Sequence, residues 1–342
     1  MRQVIKQGLV NSIVALAAAV FLTPAAAFAD ELAGYQYYVV GNPENVERET
    51  SGLVVMQGGG DDVDENYVEM ARLGGGGDFV VLRASQADEY NDYIFKLCNC
   101  DSVETIVFEN RDAANERFVI DTIRNAEALF IAGGDQSRYV RFWQGTPVED
   151  AIHYVVNKPA PIGGTSAGMA IMGEFVYSAM TESVTTELAL QNPYYEDVTL
   201  ARDFLHLPWM DNILTDQHLQ ERHRIGRTIA FLARLLADGW TEQGRAIAAD
   251  RETSVHVDPK TGIARVFATA DHETPYAYFM STRGRPENCK PGEKLTYRDI
   301  DVYRLGPGEG SFDIGKWQGD GGISYTLGAE NGELVSSRDS FY

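Results

Sequence analysis

Four short apolar runs punctuate the first half of the chain, and most of them open into glycines or acids. They are LVVMQGGGDD (53–62), FVVLRA (79–84), VETIVFEN (103–110) and EALFIAGGDQ (127–136). Strands apolar on both faces belong inside a sheet covered by helices, so these runs predict buried, largely parallel strands. The segments between them carry a helical period: ANERFVIDTIRN (114–125) predicts one helix, and SRYVRFWQ (137–144) with VEDAIHYVVN (148–157) predicts two, or one broken helix. From about residue 214 the pattern again predicts helix. Ile225, Ile229, Leu232, Leu235 and Leu236 recur near every 3.6 residues, and the run stops at Gly239. TSVHV (253–257), ARVFATA (264–270), YAYFM (276–280) and TYRDIDVYRL (296–305) then predict short strands, the first two joined by the turn DPKTG. The expectation is one α/β domain over residues 30–342. A parallel-rich central sheet flanked by helices forms its core, about residues 45–305, with antiparallel hairpins at the sheet edge and an irregular extension from 306 to 342.

The first 29 residues follow another logic. Arg2 and Lys6 precede the apolar stretch Val10 to Leu22, and Ala27-Phe28-Ala29 has small-x-small spacing. That predicts a secretory signal peptide, hence a secreted protein, extracellular or periplasmic. No later stretch is long and apolar enough to predict a membrane span. The chain has 29 Lys plus Arg against 50 Asp plus Glu, a formal net charge of −21. Such an acidic surface disfavours nucleic acid and anionic lipid as partners and suits cationic groups. Three cysteines, Cys98, Cys100 and Cys289, are too few for a disulfide scaffold, although a bridge from Cys289 to one of the others is open. His218 and His223 stand five apart, which puts their rings off one helical face, and no set of ligands has metal spacing. No metal and no cofactor are expected.

Candidate chemistry gathers in three blocks. In PAPIGGTSAGMAI (159–171), Ser166 is flanked by small residues that let a strand turn sharply into a helix. Such a turn exposes the hydroxyl and leaves the Ala167 N–H free for an oxyanion, although a plain glycine-rich loop fits the stretch equally well. In AGGDQ (132–136), Gly134 is a candidate second oxyanion donor and Gln136 a polar contact to substrate. In TDQHLQERHRIGR (215–227), His218 is the candidate base for the serine, and the arginines suit a carboxylate. A third group must orient the imidazole, and Asp250 and Glu252 in AADRETSV are the candidates after His218. The order serine, histidine, acid differs from that of α/β-hydrolase esterases.

Together, IAGGDQ (131–136), IGGTSAGMAIMG (162–173) and TDQHLQERHRIGR (215–227) resemble the cyanophycinases, serine hydrolases of the peptidase E group (peptidase family S51). The resemblance runs over roughly residues 50–305, and the secretion-like segment makes exported bacterial members the nearest match. It implies a fold like class I glutamine amidotransferases and peptidase E, and a homodimer. It also implies cleavage of cyanophycin, a poly-aspartate backbone with arginine branches, into β-Asp-Arg dipeptides. By matching position the nucleophile falls on Ser166, the base on His218, and substrate contacts on Gln136, Asp216, Gln217, Arg222 and Arg227. Asp61 and Asp62 are acids available to the arginine branches. One departure stands out: the family's D-E-x-T-A segment reads DRETS (250–254) here, with Arg251 where the triad acid belongs. Glu252 is then the expected acid, with Asp250 the alternative. A peptidase E-like enzyme for α-aspartyl dipeptides and a non-catalytic binding module for a cationic ligand are the rival expectations.

Overall fold

A computed structural model describes residues 28–30, 34–85, 89–270, 272 and 275–342. Apart from residues 28 and 29, the signal-like segment lies outside the described residues. The fold is α/β, with two mixed sheets and flanking helices. In the first sheet, five parallel strands stand in the order Ser102–Phe108, Asp78–Arg83, Ala128–Ile131, Ile162–Thr165 and Val54–Gln57. These are the apolar runs of the sequence together with the strand before Ser166. All the side chains of Val54–Gln57, Asp78–Arg83 and Ala128–Ile131 are buried, as strands covered on both faces require. Tyr35–Gly41 pairs antiparallel with Ser102–Phe108, so ordered structure begins upstream of the expected boundary at residue 45. On the opposite side Thr253–Val257 and Ile263–Ala268 extend the sheet as an antiparallel hairpin.

The second sheet was only partly legible. Its centre is Ile213–Gln217, parallel to Arg245–Ala249, with Ala277–Thr282 and Tyr297–Leu305 added antiparallel. Helix begins only at Ile225 and runs to Ala237; the expected helix from 214 is instead strand and then turn. The extension beyond 306 is not irregular either. It contains the strands Ser311–Asp313, Gln318–Asp320, Ile323–Glu330 and Glu333–Ser336. Asn331 and Gly332, both at positive φ, form the two-residue loop of the last hairpin, a turn that Asn-Gly favours. The tail then returns to the centre of the molecule, where the Tyr342 hydroxyl donates to the carbonyl of Leu219 at 3.4 Å.

One apolar cluster joins the sheets, with Val54, Met56 and Ile162 from the first and Ile213, Ile247 and Phe279 from the second. Cys98 and Cys100 pack in one cluster and Cys289 in another, and all three are free thiols, so the bridge left open by the sequence is not formed. Among the described residues no helix is long and apolar enough to cross a membrane.

Candidate functional site

Parallel strands deliver their carboxyl ends to one edge of a sheet, where α/β folds place their sites. Here that edge collects Gly58 after Val54–Gln57, Gly133 after Ala128–Ile131 and Ser166 after Ile162–Thr165. His218 arrives from the second sheet, one residue past Ile213–Gln217. The Thr215 hydroxyl, donating to the Met169 carbonyl at 2.7 Å, ties that strand to the helix after Ser166.

Ser166 sits at φ 51° and ψ −113°, a conformation costing on the order of 1–3 kcal/mol for a non-glycine residue. Its N–H donates to the Gln57 carbonyl at 3.0 Å, and its own carbonyl accepts from Ala170 in the following helical turn. The sharp turn brings the helix against the neighbouring strand so closely that a Cβ on Gly168 would lie 2.1 Å from the Ile131 carbonyl oxygen. This accounts for the small residues around the serine. Ser166 is half-buried in an otherwise buried stretch, and its Oγ lies 3.0 Å from Nε2 of His218.

His218 also adopts a positive φ, 51°, which turns the chain directly after the strand. Its N–H donates to the Gly58 carbonyl at 2.9 Å. Nδ1 lies 2.7 Å from Oε2 of Glu221, three residues on. With the imidazole neutral, Nδ1–H donates to Glu221 and Nε2 accepts from the Ser166 hydroxyl, so one tautomer satisfies both bonds. Burial pulls the His218 pKa down to about 4, against the opposing pull of the Glu221 carboxylate. For Glu221, burial alone would raise the pKa; the His218 bond and the charges of Arg222 and Arg251 outweigh it and hold the carboxyl below its usual range.

The acids expected to orient the histidine stand elsewhere. Glu252 is ion-paired with Arg251, and its N–H donates to the Gly59 carbonyl. Asp250 is buried, accepts the Gln220 N–H at 2.8 Å and the Tyr278 hydroxyl at 3.3 Å, and is pushed up to about 7 by burial. It braces the turn that carries Glu221 without touching the ring. Glu221 was not among the expected acids, which were sought in the DRETS segment by its likeness to the family's D-E-x-T-A.

The substrate contacts implied by resemblance divide. Asp216 and Arg227 are fully buried and bonded to each other through Nε (3.1 Å) and Nη2 (2.5 Å), while the Thr228 hydroxyl donates to Asp216 at 2.7 Å. Both are therefore occupied with each other rather than presented to a ligand. Burial would raise the Asp216 pKa, but the Arg227 charge and hydrogen bonds outweigh it and lower it. Removing one partner of such a pair strands the other charge, so Asp216→Asn should cost about 3–5 kcal/mol of stability. Urea unfolding of the variant reads that loss directly.

Arg222 is half-exposed beside Glu221, with Nε 3.9 Å from Oε1. The Gln217 side chain is buried and accepts from Arg224, a residue the sequence reading passed over. Arg224 bonds only neutral acceptors among the described residues, those of Gln217 and Ser183. Burial, with Arg227 next, lowers its pKa to about 9. It was legible as the third basic residue of RHRIGR.

Gln136 donates to the Tyr177 carbonyl at 3.4 Å. A Cβ built on Gly133 would lie 3.4 Å from the Ser166 Cβ, whereas one on Gly134 would meet Ser85, so Gly133 is the glycine against the serine. Among the described residues the Ala167 N–H, at the first helical position, has no hydrogen-bond acceptor. Asp61 is exposed. Asp62 accepts the Tyr67 hydroxyl at 2.5 Å, and burial raises its pKa despite that bond. The described residues hold no cluster of three or more metal-binding side chains.

Residues 84–196 match the model of peptidase family S51. Cyanophycinases from Trichormus variabilis and Synechococcus elongatus are each 28% identical to this chain, over 141 and 145 residues. Those matches cover 41% and 42% of this chain, and 44% and 42% of the relatives, so they span less than half of those proteins. The crystal structure of a peptidase from an acI-B1 Actinobacterium has the same fold, with a TM-score of 0.50 at 14% identity, over 78% of this chain and 98% of that one.

Proposed function

We propose that this chain is a serine peptidase of the S51 type that cleaves cyanophycin to β-Asp-Arg dipeptides through an acyl-enzyme. The observation that carries the reading is the hydrogen-bonded line Ser166–His218–Glu221, at 3.0 and 2.7 Å, on a strained turn at the sheet edge. His218 Nε2 takes the Ser166 proton as Oγ attacks the carbonyl between aspartyl units. The Glu221 carboxylate holds the ring and balances the imidazolium. The Ala167 N–H and the Gly133–Gly134 backbone face the developing oxyanion. His218 then protonates the leaving amine, and water attacks the acyl-enzyme with the same histidine as base.

Asp62, partly buried at the end of the glycine loop, offers a carboxylate to an arginine branch, and Arg224 offers a guanidinium to a free chain-end carboxylate. Export through residues 1–29 and a homodimer complete the proposal. Because His218 works only when neutral and titrates at about 4, kcat/KM should stay flat through neutral pH and fall as pH drops past 4. A pH–rate profile checks this; an acid limb near 6.5 would mean an unperturbed histidine.

A second reading, a dipeptidase for α-aspartyl peptides, draws on Arg222, Arg224 and Arg251, three cations around the catalytic turn that suit an acidic side chain. Incubation with cyanophycin followed by product analysis separates the two. Release of Asp-Arg dipeptide supports the first reading, and cleavage of free Asp-X dipeptides alone supports the second.

A further inference from the structure

Three buried side chains form a directed hydrogen-bond chain behind the catalytic pair. Gln57 and Asn66 have no exposed surface and His256 is 6% exposed. Gln57 Nε2 donates to the Asp61 carbonyl at 3.0 Å. Its Oε1 accepts from Asn66 Nδ2 at 2.6 Å and from the Val63 N–H at 3.3 Å. Asn66 Oδ1 then faces Nε2 of His256 at 2.7 Å, so His256 must donate there. Reversing the Gln57 amide would set its NH2 against the Val63 N–H and its oxygen against the Asp61 carbonyl, and reversing Asn66 would set its oxygen against Gln57 Oε1, so the direction of the whole chain is fixed.

The chain ends on the segment that confines His218. The Gly58 carbonyl accepts the His218 N–H, and Gly59, at φ +96°, passes so close that a Cβ there would lie 2.1 Å from Nε2. Gln57 also holds the other partner, since its carbonyl accepts the Ser166 N–H. One residue therefore contacts the serine turn through its backbone and pins the histidine's loop through its side chain.

We propose that Gln57 is a positioning residue, and that Asn66 and His256 hold its amide in the one orientation that fastens the 58–62 loop against His218. The proposal rests on the Ser166–His218 reading above. A side chain acting only in packing could be replaced by an isostere without catalytic effect; a donor to Asp61 could not.

Gln57→Glu keeps the shape and both acceptor bonds but, when ionised, cannot donate to the Asp61 carbonyl. Turnover and the rate of Ser166 labelling by a fluorophosphonate should each fall about 10- to 100-fold at pH 8, with KM nearly unchanged, as expected when supporting hydrogen bonds are lost. Both should recover as pH is lowered toward 5, where the buried carboxyl regains its proton and becomes a donor. Loss of that size without recovery, or no loss at any pH, overturns the proposal. Asn66→Asp, which loses the donor to Gln57, tests the same chain should Gln57→Glu fail to fold. It should slow labelling several-fold with KM preserved, and wild-type labelling by a folded Asn66→Asp would equally refute the relay. If Ser166→Ala is inactive while the relay variants behave as wild type, the relay fails and the catalytic reading stands.

Discussion

Ser166→Ala should lower kcat by roughly 10⁶-fold while leaving the fold intact, the scale seen when a serine hydrolase loses its nucleophile. Among the described residues the hydroxyl is the one hydrogen-bond partner of His218 Nε2, and its replacement removes the bond-forming atom. The backbone geometry should survive. Ser166 is held through its N–H to Gln57 and its carbonyl to Ala170, neither of which involves the side chain. Alanine at φ 51° carries the same strain as serine, so the thermal midpoint should change little. Turnover measured beside a melting curve separates lost chemistry from lost structure. Residual activity near wild type would remove Ser166 from the mechanism.

Glu221→Gln should cost about 10²–10⁴-fold in kcat, because an amide can hold the ring but cannot balance the imidazolium charge. Glu221 is 36% exposed, so solvent replaces part of that balance and a loss short of the upper figure is expected. The informative control is Glu252→Gln. Glu252 pairs with the half-exposed Arg251 and leaves the imidazole alone, so kcat of that variant should remain within about threefold of wild type. The opposite ranking, with Glu252→Gln inactive and Glu221→Gln active, would restore the acid expected from the sequence.

The acid expected from the sequence and the acid that meets the His218 ring are different residues. DRETS keeps the spacing of a known acidic segment, and Glu252 and Asp250 are near in register. Their positions are nevertheless consumed, one by Arg251 and the other by the Gln220 N–H and Tyr278. Glu221 meets the ring across the turn that follows the strand, where His218 takes a positive φ, and no periodicity marks that turn. The same blind spot assigned Arg227 to substrate. A motif position shows that an arginine is required there but not which way it faces, and here it faces Asp216 across the interior. By contrast, the apolar runs that open into glycines marked the parallel strands and their functional edge, because burial on both faces leaves an unambiguous residue pattern. The final hairpin was also legible in principle, since Asn331-Gly332 lies between strand-forming residues.

The most direct test of the serine–histidine–glutamate account is covalent. Wild-type protein treated with a fluorophosphonate and analysed by peptide mass spectrometry should carry one label, on Ser166. The labelling rate should fall sharply in Glu221→Gln and hold in Glu252→Gln. A protein that hydrolyses amides while Ser166 stays unmodified, or that carries its label on another residue, would contradict the account.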